Sequence, residues 1–311
     1  AMEELGYRRN RFARGLRTRR SGVIGMLIQD HENPFYAEIV QHAEQILRRR
    51  GFDLVASSSN TDVDTEAKVI DRLSGMQVDG MIVSVIDYDR IEKTLSSIQK
   101  QGIYCVVAGV DSRTAPFDTV TIRIQRAMKD AMNYLYDMGH RKIGFVRGAP
   151  SFQGIGGLFD IYREFLVEKG SYEDGRWVRH CGFHLEDGHE AALDLLSEAD
   201  RPTAIFALND VMAIASIRAA HSLGVQVPKD LSVIGVDDIK WASYFCPSLT
   251  TISQPITRYA EMLCELVVDG ITRSEGRTDR GTESQGSVPE KKHKVFHGKF
   301  VIRESVAKAP E

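Results

Sequence analysis

The sequence lacks the short motifs that mark most hydrolases, metalloproteases and nucleotide-binding enzymes. It contains no G-x-S-x-G, no H-E-x-x-H and no G-K-[ST]. The segment 153–157, QGIGG, follows a predicted strand but lacks the third glycine of G-x-G-x-x-G. We therefore expect neither an enzyme nor a bound cofactor.

Metal-binding patterns are also missing. The four cysteines are scattered without a C-x-x-C pair, which favours buried reduced thiols. In an extended segment, His180 and His184 face one side while Cys181 faces the other, so together with His189 they form no tetrahedral set. We expect no metal site.

Long hydrophobic runs are absent, since no apolar run approaches the ~18 residues of a membrane span. No signal-peptide apolar core precedes residue 22. The 311 residues are 42% hydrophobic and 27% charged, as in folded globular proteins. We expect a soluble cytoplasmic protein.

Acidic residues are scarce at the start of the chain. Residues 1–21 hold seven arginines and two glutamates, a local charge of +5, whereas the whole chain carries −3. The segment 10–21, NRFARGLRTRRS, has no acid at all. A basic arm on an acidic body indicates one end that faces a polyanion.

After residue 21, short β-branched runs alternate with longer segments of helical period. Predicted strands are 23–28, 53–59, 79–85, 103–109, 141–148, 177–183, 203–208, 231–237 and 249–253, with one or two more in 294–305. Predicted helices are 34–50, 63–75, 90–101, 125–138, 158–169, 187–199, 210–223 and 256–270. Asn33 and Pro34 suit the cap and first residue of the first helix, and the polar tract 274–290 predicts an exposed loop.

This alternation predicts an α/β protein with two doubly wound parallel sheets, each covered by helices on both faces. We expect an arm at 1–21, one subdomain at 22–138 plus 254–290, and a second at 139–253 plus 291–311. Ligands of such sheets bind near the carboxyl ends of the strands, here in a cleft between the subdomains.

Five segments carry a resemblance to a known family. They are ELGYRRNRFARGLRTRRSGVIGMLIQDHENPFYAEI, MGHRKIGFVRG, RPTAIFALNDVMAIA, VPKDLSVIGVDDIKWASYFCPSLTTISQP and VIRES. In this order they resemble the LacI/GalR family of transcription regulators over essentially the whole chain. The resemblance implies a periplasmic-binding-protein-like type I fold, a homodimer, and two further partners, operator DNA and a small-molecule effector.

The resemblance makes residues 1–6 the last helix of the family's DNA-binding headpiece and residues 10–18 a hinge helix in the DNA minor groove. The DNA-binding residues that it implies are Asn10, Arg14, Leu16 and Arg17. Arginines suit the phosphates that line a narrow groove, and a leucine can wedge between base pairs. The alternative is a disordered basic tail with an incidental leucine. Gly15 replaces the family's usual serine, so we expect this short helix to form only on DNA.

The resemblance also implies the effector-binding residues, which are Phe35, Tyr36, Arg147, Phe183, Asp210, Asp237 and Trp241. Aromatic faces suit the apolar faces of sugars or bases, and an isolated carboxylate at a strand end suits a polyol. We therefore expect a sugar or a sugar derivative. Structural alternatives stay open: a hydrophobic staple for Phe35, and helix or turn caps for Asp210 and Asp237.

Two departures from the family pattern affect this pocket. Leu158 and Ile161 stand where the family's R-x-x-G-[FY] has arginine and glycine, and Arg123 and Ile124 stand where an Asp-Asn or Asp-Asp pair is common. Losing an arginine removes bidentate recognition of carboxylate, phosphate or diol. Either the pocket is unusual, or Arg147 or Arg123 takes over this role.

The sequence thus predicts a DNA-binding transcriptional regulator, a repressor in the commoner family arrangement. Its operator affinity would be controlled by a small polar effector bound between the two subdomains. The alternative is a periplasmic-type sugar-binding protein, which shares the fold and has no DNA-binding arm.

Overall fold

The structure is a computed structural model that describes residues 20–148, 157–278 and 291–310. Its strands are β1 (Val23–Ile28), β2 (Asp53–Ser58), β3 (Gly80–Ser84), β4 (Tyr104–Ala108), β5 (Asp118–Arg123), β6 (Ile143–Arg147), β7 (Val178–His180), β8 (Ala204–Ala207), β9 (Ser232–Asp237), β10 (Thr250–Ser253), β11 (His293–His297) and β12 (Lys299–Val301). Its helices are α1 (Pro34–Arg49), α2 (Val63–Gly75), α3 (Tyr88–Lys100), α4 (Gln125–Asp137), α5 (Leu158–Glu168), α6 (Leu185–Leu196), α7 (Asp210–Ser222) and α8 (Ile256–Thr278), with a 3₁₀ turn at Lys240–Ser243.

The strands form two six-stranded sheets, in the orders β11-β5-β4-β3-β1-β2 and β12-β10-β9-β8-β6-β7. Strands β1 to β4 and β6 to β10 pair in parallel with their neighbours, as strand–helix alternation requires. β12 joins the second sheet antiparallel to β10. The predicted α/β fold with two doubly wound sheets is confirmed, with an antiparallel edge strand added to the second.

The chain divides into two compact units. Of the described residues, unit 1 contains 20–31, 39–120, 257–278 and 291–294, and unit 2 contains 32–38, 121–148, 157–256 and 295–310. The largest differences from the predicted subdomains are at 32–38 and at α4, both of which cluster with unit 2. There Tyr134 lies 5.5 Å from the Phe300 ring and Tyr136 lies 6.1 Å from the Phe165 ring. The aromatic residues of α4 therefore pack against other residues of unit 2.

Most predicted elements are confirmed to within a few residues, and α2 has the predicted bounds. Asn33 caps α1 as expected, since its Oδ1 accepts the Phe35 amide at 3.0 Å. β5 was not predicted, because its alternating DTVTIR is too polar for a continuously apolar strand. The 3₁₀ turn after β9 was not predicted either.

Helix α8 is longer than predicted and continues to Thr278, so the start of the expected loop 274–290 is helical. The prediction ended this helix at Gly270. Instead, Gly270 permits close packing, because a Cβ there would lie 2.0 Å from the Tyr104 ring. Among the described helices, none is long and apolar enough to cross a membrane.

Cysteine burial follows the prediction only in part. Cys105 and Cys264 are buried, and burial raises the pKa of each thiol to about 12. Cys181 is half-buried and Cys246 is exposed. The expectation that all four are buried was wrong for Cys246, which follows the 3₁₀ turn at the surface.

A buried carboxyl group fixes the loop after β3 in unit 1. Glu66 on α2 is fully buried, and its Oε1 accepts the Ile86 amide at 2.6 Å. The Asp87 amide also favours the ionised form of this carboxyl group, although Oε2 is buried without a hydrogen-bond partner among the described residues. Burial raises the Glu66 pKa from 4.5 to about 7 in spite of these donors.

We expect Glu66→Gln to stabilise the protein at about pH 8 by roughly 3 kcal/mol, because the ionised form is destabilised by burial while the amide keeps an acceptor oxygen. The raised folded pKa means that this cost is present above about 7 and disappears as pH falls to the unfolded value of 4.5. The advantage of the variant should therefore shrink over that window.

Urea unfolding across this pH range measures the effect. Glu261→Gln is the control, since Glu261 is an exposed glutamate of the same unit. A difference between Glu66→Gln and wild type that does not vary with pH would contradict the expectation.

Candidate functional site

The predicted effector residues all lie in unit 2, at or near one edge of its sheet. β6, β7, β8 and β9 are parallel, so their carboxyl ends share this edge. Arg147 ends β6, Asp210 follows β8 and Asp237 ends β9. Phe35 and Tyr36 belong to the segment 32–38, which clusters with the same unit.

Asp237 is a buried carboxyl group held by two amide side chains. It is 4% exposed, its Oδ1 accepts from Gln254 Nε2 at 2.7 Å, and the Asn33 side chain also donates to it. Burial and the neighbouring Asp210 raise its pKa well above the usual value. Its backbone φ of 116° lies in the left-handed region, which is unusual for a residue with a side chain. This conformation changes the direction of the chain at the end of β9.

Asp210 has no exposed surface, and protein donors occupy both of its oxygens. Oδ2 accepts the Ile239 amide at 2.9 Å, and Oδ1 accepts the Thr251 hydroxyl at 2.5 Å. A Cβ at Gly235 would lie 2.2 Å from Oδ1, so glycine in β9 makes room for this carboxyl group. The cap of α7 is Asn209, whose Oδ1 accepts the Met212 amide at 2.8 Å. Asp210 thus anchors the turn after β9, and burial raises its pKa to about 7.

The segment 32–38 contacts unit 2 through several side chains. Besides the Asn33–Asp237 bond, Glu32 Oε2 lies 3.0 Å from His184 Nδ1, and Glu38 lies 3.8 Å from Lys240 Nζ. Phe35 is buried and its ring meets the half-buried Tyr36 edge-on at 5.1 Å. This segment brings two of the predicted aromatic residues into the unit that contains Asp237.

Arg147 is half-buried and covers an aromatic ring. Its guanidinium carbon lies 4.4 Å from the Phe159 ring centroid, and burial lowers its pKa. Phe183 packs against Gly148, where a Cβ would lie 2.3 Å from the ring. Gly148 therefore determines how close Phe183 comes to the end of β6.

Trp241 is 54% exposed on the 3₁₀ turn, beside Tyr244 at 88% and Phe245 at 39%. Of these three aromatic residues, only Trp241 was predicted. The ring-rich WASYF directly after Asp237 and Asp238 is the signal that would have found the other two.

The two departures occupy different surroundings. Leu158 begins α5 and is 2% exposed, and Ile124 is buried at the amino end of α4. The Arg123 carbonyl accepts the Gly298 amide at 3.0 Å. The replacement of the family's arginine by Arg147 or Arg123 stays a prediction.

Other predicted residues are placed as follows. In the part of the chain that the structure describes, no three His, Cys, Asp or Glu side chains could together hold a metal ion. His180 Nδ1 lies 3.3 Å from the Gly148 carbonyl oxygen. The predicted DNA-binding residues Asn10, Arg14, Leu16 and Arg17 lie outside the described residues.

The family-like VIRES segment fastens the end of the chain to unit 2. Arg303 donates to Asp238 Oδ1 at 2.6 Å and to the Leu249 carbonyl oxygen at 2.7 Å. Glu304 Oε2 accepts from the amide and hydroxyl of Ser248, and Ser305 donates to the Val233 carbonyl oxygen at 2.6 Å. The motif therefore has a structural role beside β9 and β10.

We expect Asp210→Ala to lower the free energy of unfolding by about 2 kcal/mol or more, because the Ile239 amide and the Thr251 hydroxyl lose their acceptors inside the protein. Chemical denaturation measures the loss. Asp210→Asn is the control, since one amide oxygen can still accept from Ile239 while its nitrogen donates to Thr251. An alanine variant as stable as the asparagine variant would refute the anchoring role.

Comparison with known proteins assigns the chain to a family. Residues 132–306 match the family described as the periplasmic binding protein-like domain. The chain is 32% identical over 312 residues to the HTH-type transcriptional repressor PurR of Edwardsiella ictaluri (strain 93-146), covering 100% of this chain and 87% of the repressor. Its identity to the PurR repressor of Yersinia enterocolitica (serotype O:8 / biotype 1B, strain NCTC 13174 / 8081) is 33% over 314 residues, with the same coverage.

Solved structures agree with this assignment. A LacI family transcriptional regulator from Enterococcus faecium with bound ribose is 26% identical, with a TM-score of 0.76 over 93% of this chain and 100% of that chain. The complex of the transcriptional regulator CelR with cellobiose is also 26% identical, with a TM-score of 0.74 over 98% of this chain and 88% of that chain. The chain belongs to the LacI/GalR family of transcriptional regulators.

Proposed function

We propose that this protein is a homodimeric transcriptional repressor whose affinity for operator DNA is controlled by a small polar effector. The observation that carries the proposal is the end-to-end similarity to PurR repressors in a chain whose arginine-rich segment, residues 8–20, leads directly into β1. A periplasmic-type binding protein shares the fold but has no use for such a segment. Because operator DNA is its partner, we place the protein in the cytoplasm.

The effector site that we propose centres on Asp237 at the carboxyl end of β9. A buried carboxyl group that already receives two side-chain hydrogen bonds can exchange them for bonds from the hydroxyl groups of a polyol. Phe35, Tyr36, Phe183 and Trp241 supply aromatic faces in the same unit. Asp210 supports the site indirectly, since its oxygens are used to anchor the turn at Ile239.

We propose an uncharged sugar as the effector class. Two regulators with 26% identity have structures with ribose and with cellobiose. In residues 148–162, GAPSFQGIGGLFDIY, no lysine or arginine is present to receive a phosphate, and Leu158 is buried where the family has arginine. A buried apolar side chain cannot replace the arginine fork.

Regulation then follows from reciprocal coupling. An effector that binds more tightly to the conformation with low affinity for DNA shifts the protein toward that conformation. Bound DNA changes the affinity for the effector by the same factor. Allosteric coupling free energies are typically about 1–3 kcal/mol. Release from DNA on effector binding is the arrangement that we propose.

We expect ribose or cellobiose to raise the thermal unfolding midpoint, with a stabilisation of ~2.7 kcal/mol at a hundred times the dissociation constant. Asp237→Asn should weaken binding about tenfold or more, because the amide supplies only one acceptor oxygen. Asp174→Asn is the control, since Asp174 is exposed in the same unit and its φ of 39° suits asparagine.

The charge of the effector is tested by calorimetry with ribose and ribose 5-phosphate. Tight binding of the phosphorylated sugar would favour Arg147 or Arg123 as a substitute cation. Equal affinity of Asp237→Asn and wild type for a bound sugar would remove Asp237 from the proposed site.

We expect the full-length protein to bind operator DNA with a steep salt dependence. Arg17→Ala should reduce the slope of log affinity against log salt by about 1, because one phosphate contact is lost. Leu16→Ala should weaken binding with little change in slope. Arg49→Ala, on the exposed face of α1, is the control. Salt-insensitive behaviour with no retardation of any DNA would exclude the repressor function.

A further inference from the structure

A carboxyl group outside the proposed effector site fastens the start of unit 1. Asp79 precedes β3, and its Oδ1 accepts from the Ser21 amide at 2.9 Å and the Ser21 hydroxyl at 3.1 Å. Its Oδ2 accepts from the Gly22 amide at 2.9 Å. One side chain therefore binds two consecutive residues at the point where the arginine-rich segment meets β1.

These bonds extend the sheet beyond its last strand pair. The parallel pairing of β1 and β3 begins at Ile24 and Gly80, and the Asp79 amide adds one bond to the Val23 carbonyl oxygen at 2.8 Å. The Ser21 and Gly22 amides lie before this ladder, and the Asp79 carboxylate is their acceptor. Hydrogen bonds to a charged acceptor are stronger than those between neutral groups.

The backbone conformation of Gly22 also fixes the chain, together with its hydrogen bonds. Its φ is 71°, a left-handed conformation that suits glycine, and its carbonyl oxygen accepts the Asp53 amide at 2.8 Å. The Val23 amide donates to Ser21 Oγ at 3.1 Å. The direction in which the chain enters β1 is thus determined by contacts on both neighbouring strands, β2 and β3.

We propose that Asp79 is a positioning residue for DNA binding, which fixes where and in which direction the arginine-rich segment leaves unit 1. This inference rests on the proposed operator binding through that segment. A fixed starting point lowers the conformational entropy that is lost when the segment binds DNA. The negative charge of Asp79 repels DNA phosphates. The proposed positioning role instead strengthens DNA binding, so the two effects are opposite in sign.

Electrostatics and the positioning role predict opposite changes in DNA affinity when the charge of Asp79 is removed. Removing a negative charge near DNA should tighten binding by electrostatics alone. We expect Asp79→Asn to weaken DNA binding about tenfold. The amide nitrogen cannot accept from Gly22, so the chain before β1 gains conformational freedom. The slope of log affinity against log salt should stay unchanged, because the same phosphates are contacted once the segment is bound.

The experiment uses the full-length protein and a duplex selected by the wild type from a random-sequence pool. Asp71→Asn is the matched control, an exposed aspartate on α2 of the same unit, and it should bind at least as tightly as wild type. Gly22→Ala leaves every charge in place and adds a methyl group with no atom within 4 Å, but strains the φ of 71°. It should weaken DNA binding in the same way.

Effector affinity, measured by calorimetry with ribose or cellobiose, should not change in either variant. A general loss of folding would lower it. Wild-type affinity for the duplex in both Asp79→Asn and Gly22→Ala would overturn the inference. If Asp79→Asn alone fails to fold, Gly22→Ala decides. Absence of DNA binding by the wild type would refute the repressor function itself, a result distinct from equal binding by wild type and variants.

Discussion

Two buried carboxyl groups constrain the edge of the second sheet, and the surrounding structure is arranged to satisfy them. Burial raises the cost of ionising both Asp210 and Asp237, and Asp210 adds to the cost for Asp237, so each needs hydrogen-bond donors from the protein. Donors come from Asn33, Gln254, Thr251 and the Ile239 amide. Burying these carboxyl groups therefore ties together the segment before α1, β10 and the turns that follow β9 and β10.

Each unit uses a buried carboxyl group to hold a loop that follows one of its strands. In unit 1, Glu66 accepts the Ile86 amide after β3, and in unit 2, Asp210 accepts the Ile239 amide after β9. Each carboxyl group lies on the helix that precedes the strand whose loop it holds, and burial raises the pKa of both to about 7. A loop at the carboxyl edge of a parallel sheet has amides without strand partners, and a carboxyl group satisfies them while holding the loop in one conformation. The unit 2 loop held in this way follows Asp237, the residue on which the proposed effector site depends.

The residues of the site differ in how far the sequence could specify them. Asp237 could be located as a strand end, since the apolar run LSVIGV is interrupted by an acid. Its partner Asn33 could not, because the Asn33–Asp237 bond joins residues far apart in the chain and no local pattern encodes it. Asp210 and Asn209 illustrate the same limit. Both are acceptable caps by composition, but only the backbone geometry shows that Asn209 caps α7 while Asp210 turns toward Ile239 and Thr251.

The alternation of short apolar runs with segments of helical period determined by itself the α/β class, most element positions and the parallel sheets. Burial on both faces of a sheet demands continuous apolar strands. Tertiary structure decided the rest. α8 continues through Gly270, which packs closely against Tyr104, and the aromatic residues of α4 pack in unit 2. Asp79 becomes the acceptor for Ser21 and Gly22 only when β1 and β3 lie side by side. Periodicity records which side chains are buried, whereas the partner of a buried polar group is known only once the chain has brought distant residues together.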